Sequence, residues 1–181
     1  MNSWIAILRG INVSGVRKLP MQELRMLFES LKCSHVRTYI QSGNVVFEGS
    51  KLDPSSFAKL VEARIKDQYN YDVPVLVRSL ADMKHVSTAN PYLKRKGIEL
   101  DKLHVTFLAE VPVAALAEKI MGVKFGNDSF SLIGREVFVH CPDGYGNTKL
   151  NNTFFENKLK VSATTRNWRT VNELVRMGEE G

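Results

Sequence analysis

Apolar and polar positions along this chain fall into short blocks whose spacing alternates between the period of a strand and that of a helix. Trp4–Leu8 is a continuous apolar run, as in a buried strand. After a glycine-bracketed turn, Gly10–Gly15, Pro20 opens a helix in which Met21, Leu24, Leu27, Phe28 and Leu31 share one face. Two β-rich runs, Val36–Gln41 and Asn44–Phe47, are split by Ser42-Gly43, a two-residue hairpin signal because glycine tolerates positive φ. Asp53-Pro54 joins an N-cap to a proline at the first helical position, and Phe57, Leu60, Val61 and Ile65 form the stripe behind it. Val73–Val77 completes a β-α-β-β-α-β order, with Pro74 near its start. Ser79–Asp82 has capping-box spacing and starts a short helix that ends before Asn90-Pro91.

The second half repeats that order. Strand Leu103–Leu108 leads to a helix near Pro112–Met121 with Val113, Leu116, Ala117 and Ile120 as its stripe. A hairpin of Phe130–Ile133 and Val137–Cys141 turns at Gly134-Arg135, and a helix bears Leu150, Phe154, Phe155 and Leu159. Val161–Thr165 is a last strand, and Asn167 caps a terminal helix that turns Trp168, Val171, Leu174 and Val175 inward. The predicted fold is therefore α+β. It has two tandem ferredoxin-like (β-α-β-β-α-β) plaits, each followed by a helix, over residues 1–95 and 96–181, with Lys94-Arg95-Lys96-Gly97 as the linker. The repeat is one of element order; the residues themselves do not align.

Composition adds a sign and a compartment. With 44% hydrophobic and 24% charged residues, the chain has the make-up of a globular protein. No apolar run approaches a membrane span and no signal peptide stands at the N-terminus, so a cytoplasmic location with no membrane partner is expected. Cys33 and Cys141 form neither a metal spacing nor a disulfide framework, which fits a reducing compartment. The net charge of +6 is uneven. Residues 1–98 carry 15 Lys and Arg against 8 Asp and Glu, whereas residues 99–181 carry 10 against 11. An anionic partner is expected to prefer the first half.

Four stretches carry polar residues that packing does not explain: Leu8–Gly15, Gln41–Asn44, Gly144–Lys149 and Thr164–Trp168. In the first, the two glycines nearly match a P-loop, but Val16-Arg17 stand where Lys and Ser/Thr are required, so only a looser anion site with Arg9, Arg17 or Lys18 is expected. Tyr39 and Phe47 are too few for an RNA-recognition sheet. Lys149, read as sitting at a helix start, opposes the helix dipole and is therefore a candidate for binding. His140 and Cys141 are strand neighbours that point to opposite faces, so no nucleophile–base pair forms there, and no metal or cofactor is expected.

Leu8–Val13, Thr38–Phe47 and Ala163–Trp168 closely resemble the hallmark stretches of the family catalogued as domain of unknown function 1697. That resemblance runs the length of the chain and implies paired α/β plaits in a bacterial-type soluble protein. It brings no activity, substrate or cofactor. Ser14 stands where the family often has a glycine.

Three functions follow as expectations. The first is a binding module for a small anionic ligand, phosphorylated or nucleotide-like. The second is a weak, sequence-independent nucleic-acid binder. The third is an enzyme relying on Lys149, Arg166 or Tyr145. The expected binding residues are Arg9, Asn12, Gln41, Ser42, Asn44, Tyr145, Lys149, Arg166 and Asn167, all at element ends, where binding groups gather on a rigid scaffold. One shared site is the working expectation.

Overall fold

The structure, a computed structural model, describes residues 2–50 and 52–181. By packing, the chain forms two compact units: residues up to His85 together with Glu173–Gly181, and Val86–Asn172. The elements of the first plait are β1 (Asn2–Leu8), α1 (Met21–Ser30), β2 (Ser34–Tyr39), β3 (Asn44–Gly49), α2 (Pro54–Tyr69) and β4 (Val75–Ser79), trailed by α3 (Leu80–Ala89), whose residues from Val86 on are counted with the second unit. Its sheet has the order β2-β3-β1-β4 with every pair antiparallel. The second plait runs β5 (Leu103–Leu108), α4 (Ala114–Ile120), β6 (Ser129–Ile133), β7 (Glu136–His140), α5 (Asn152–Leu159) and β8 (Ala163–Asn167), trailed by α6 (Trp168–Glu179), whose residues from Glu173 on are counted with the first unit. Its sheet is ordered β6-β7-β5-β8, again antiparallel throughout. These are two ferredoxin-like plaits in tandem, each followed by a helix.

The helix-side core of the first plait is built from alternate strand residues Trp4, Ala6, Leu8, Val45, Phe47, Val75 and Val77 against Leu24, Phe28, Val61 and Ile65. Phe28, Phe47 and Phe57 form a ring cluster with centroids 5.2 to 5.9 Å apart. Each fully buried side chain of this size stabilises the fold by about 1.5–3 kcal/mol. In the second plait Leu108, Val137, Val139, Ile120, Phe155 and Leu159 play the same part. The opposite sheet faces are buried as well: Ile5, Ile7 and Leu76 in one, Val105, Phe107 and Phe138 in the other. The central strands of each sheet are therefore buried on both faces, while the edge strands β2 and β6 are only partly covered.

Local sequence explains most element ends. Asp53 accepts from Ser56 N at 2.9 Å with Pro54 inside the helix. Ser79 and Asp82 close their box reciprocally, at 3.1 and 3.3 Å. Asn167 accepts from Thr170 N at 2.8 Å and so starts α6. Asn70 and Lys160 end α2 and α5 in the left-handed conformation.

Three local expectations need correction. The β2–β3 connection is four residues long, because Tyr39 pairs with Asn44 and Ile40 joins Gly43 in positive φ; Ser42-Gly43 alone does not make the turn. The helix expected to begin at Lys149 begins at Asn152, capped by Asn151, whose side chain accepts from Phe154 N. Lys149 therefore opposes no helix dipole. Finally, Leu60 and Val113 face solvent, and Ala58 occupies the core in place of Leu60.

Candidate functional site

In the first plait the β1–α1 connection and the β2–β3 turn lie at the same end of the sheet. Arg9 N donates to Pro74 O at 2.9 Å and Leu8 N to Gly43 O at 2.8 Å, which seats the connection between β3 and β4. Beyond Ile11 the chain makes a small hairpin: Asn12 N donates to Arg17 O, and Val16 N to Val13 O, at 3.1 and 2.9 Å. Asn12, Ser14 and Arg17 are all in positive φ, as are Gly10 and Gly15. The Asn12 side chain secures the base. Its Nδ2 donates to Leu19 O and to Gln41 O, and its Oδ1 accepts from Leu19 N, at 2.8 to 2.9 Å. Two of the predicted stretches are thus tied together by one amide.

Gly43 is required for that junction. Its φ is +81°, and a Cβ there would lie 2.8 Å from both Ile11 Cδ1 and Leu8 Cβ. Asn44 is fully buried, and its Nδ2 donates to Tyr39 O and to Ser42 Oγ, both at 3.0 Å. Asn12, Ser42 and Asn44 therefore build the loops themselves. Arg9 and Gln41 remain accessible, and Arg17, whose Nη1 lies against Gly10, joins them with Lys18.

In the second plait the predicted residues have three different surroundings. Tyr145 stacks on His104, centroids 4.5 Å apart, and His104 lies opposite Asn167 in the β5–β8 register. A chain of hydroxyls runs beside them: Thr106 Oγ1 meets Thr165 Oγ1 at 2.7 Å, and Thr165 Oγ1 donates to Asn152 Oδ1 at 2.7 Å. Arg166 is on the other sheet face, buried beside Val105, with Nη1 donating to Thr165 O at 2.9 Å; burial pulls its pKa down to about 10. Lys149 is exposed and lines a cavity of about 380 Å³.

That cavity lies between a tight turn, in which Asp128 N donates to Phe125 O at 3.0 Å, and the loop before α5. Lys124, Phe125, Asn127, Asp128, Asp143 and Asn147 line it along with Lys149. Thr148 Oγ1 donates to Asp128 at 2.5 Å and accepts from Leu150 N, while Asn127 Nδ2 donates to Asp143 at 3.4 Å. Lys149 Nζ sits 5.9 Å above the Phe125 ring. Sequence reasoning found Lys149 but missed Lys124, Asn127 and Asp128; the short polar run Gly126-Asn127-Asp128 was the available sign of a turn there. Cys33 and Cys141 are buried and their thiols are pushed up to about 11 by that burial, so neither is an activated nucleophile.

The architecture defines a class, the tandem ferredoxin-like plait protein. Within it, the chain belongs to the family described as Protein of unknown function (DUF1697), whose model matches residues 1–138. Two of the hallmark stretches lie inside that match and Ala163–Trp168 lies beyond it. Among solved structures, the conserved bacterial protein SP0830 from Streptococcus pneumoniae is similar at 20% identity with a TM-score of 0.74, covering 98% of each chain. This likeness is one of fold. No curated protein matches the chain. Among the described residues, no helix is long and apolar enough to cross a membrane.

Proposed function

We propose that this protein is a binding module for a small phosphorylated, nucleotide-like ligand, taken up in the cavity between the Phe125–Asp128 turn and the loop before α5. One observation carries the reading. Lys124 and Lys149 both line that cavity, and neither is in an ion pair among the described residues, although Asp128 and Asp143 line it too. The carboxylates are instead held by Thr148 and Asn127. A ligand with both a phosphate and hydroxyl or amino donors suits such a wall, the phosphate meeting the lysines and the donors meeting the carboxylates. The volume falls in the range of roughly 300–1,000 Å³ usual for small-molecule sites.

The nucleic-acid reading has less support. A plait that binds RNA uses its open sheet face, and here Ile5, Ile7, Val105 and Phe107 are buried on those faces. For an enzyme, Lys149, Arg166 and Tyr145 would have to cooperate, yet Arg166 and Tyr145 do not line the cavity that Lys149 lines.

Titration with AMP and with inorganic phosphate, followed by amide NMR shifts, tests the proposal. Shifts are expected to concentrate on residues 124–128 and 143–149. The exposed pair Lys124→Ala/Lys149→Ala should weaken AMP binding by roughly tenfold or more while the spectrum stays folded. AMP binding undiminished in that double variant, or shifts confined to other residues, overturns it.

A further inference from the structure

We propose that the loop end of the first plait is a docking surface for an anionic lipid membrane, with Val13 and Val16 entering the interface and Arg17 and Lys18 meeting the headgroups. Val13 and Val16 face each other across a two-residue turn, and they are 57% and 61% exposed. Ile40, in the neighbouring β2–β3 connection, is 50% exposed, and Asn12 ties that connection to the hairpin through Gln41 O. Large aliphatic side chains gathered at a loop tip mark a contact surface more than solvent does.

Charge selects the occupant. Residues 1–22 and 30–47, which supply both connections, contain no Asp or Glu. Arg17 and Lys18 are in no ion pair among the described residues. Of two acids near this end, Asp72 is paired with Lys66 at 2.9 Å and Glu23, still charged, accepts from Tyr69 OH at 2.6 Å; Arg17 and Lys18 outnumber it. The net field there is positive and the tip is apolar. A single-stranded nucleic acid answers the charge but needs exposed rings on which to stack, and the large apolar side chains exposed at the tip, Val13, Val16 and Ile40, are all aliphatic. An anionic bilayer answers both, since basic groups gain near its surface and aliphatic groups gain by entering its boundary. The absence of a membrane-spanning helix does not bear on such a contact, which uses a surface loop.

The hairpin also has the rigidity that docking favours. Three bonds from Asn12 fix its base, so little ordering accompanies binding. The site lies in the other plait from the cavity proposed above and stands or falls separately from it.

Co-sedimentation of the full chain with vesicles decides the matter, using phosphatidylcholine alone and phosphatidylcholine with phosphatidylserine, at low and physiological salt. Binding to the serine-containing vesicles is expected, with none to phosphatidylcholine alone, and it should fall as salt rises. Arg17→Gln/Lys18→Gln and, separately, Val13→Ser/Val16→Ser should each reduce binding by roughly tenfold with an unchanged circular dichroism spectrum. Three results overturn the proposal: no vesicle binding at low salt, binding indifferent to either double variant, or single-stranded RNA retained through Arg17 and Lys18 while vesicles are not.

Discussion

The two plaits share one topology and fill it with different chemistry. In matching registers Trp4 lies opposite Ser79 and His104 opposite Asn167, so Trp4 and His104 hold corresponding positions. Trp4 Nε1 and His104 Nδ1 are both buried without a hydrogen-bond partner among the described residues. One step on, Ala6 faces Val77 in the first plait, whereas Thr106 faces Thr165 in the second and is bonded to it. The helix-side core is thus apolar where the second plait runs a hydroxyl chain to Asn152. What the plaits keep in common is the last strand: Arg78 and Arg166 are buried, each donates Nη1 to the preceding carbonyl, and each precedes the cap of a trailing helix. That arginine belongs to the plait as a unit, which is why Arg166 needs no ligand to account for its burial.

The connections differ in the same way. Residues 9–20 form a long, basic connection after β1, and residues 109–113 a short one after β5. The second plait instead lengthens the segment before β6 and the one between β7 and α5, which together line the lysine cavity. Each plait elaborates a different end of its own sheet. The shared layout of strands leaves the loops at both ends available for change, even though Ile11 and Leu19 in one plait and Cys141 and Leu150 in the other anchor these connections in the cores.

Three experiments sharpen this contrast. The largest effect is expected from the cores. Phe47→Ala and Phe155→Ala should each cost about 3–5 kcal/mol in denaturant unfolding, because each ring is fully buried among other rings. A loss in one plait less than half that in the other would show that the shared topology conceals unequal cores.

Next comes Asn12→Ala, expected to cost about 2 kcal/mol. It removes three hydrogen bonds and leaves a non-glycine residue in positive φ without its amide. Hydrogen exchange should rise across residues 12–19 and leave residues 103–108 unchanged. Protection unchanged in the hairpin would mean that the amide does not anchor it.

The smallest effect concerns pH. His104 has its pKa lowered, first by burial, with the Lys102 backbone and Asp101 partly opposing. The unfolded chain binds a proton near the ordinary value of 6.5 while the folded one resists it. Stability is therefore complete above that pH and declines as the pH falls below it. His104→Phe keeps a ring against Tyr145 and should flatten this slope; His140, lowered by burial and then by Arg95, leaves a residual one. An unaltered slope would show that the position corresponding to Trp4 is not pH-sensitive.

The sequence alone determined the order of elements and most of their ends. Period, caps and turns are local, so Asp53-Pro54, Ser79–Asp82, Gly134-Arg135 and Asn167 could be read without neighbours. It also picked out Asn12, Asn44, Lys149 and Arg166 as polar residues that packing did not explain. Their roles were decided by tertiary structure. Asn12 bonds a carbonyl far along the chain, Asn44 fills a buried turn, Arg166 lies on the sheet face away from the helices, and Lys149 shares a cavity with Lys124. Periodicity could not show that Leu60 would face solvent or that the central strands would be buried on both faces. Hydrogen bonds between distant residues and the covering of a sheet depend on which segments meet, and that is a property of the folded chain.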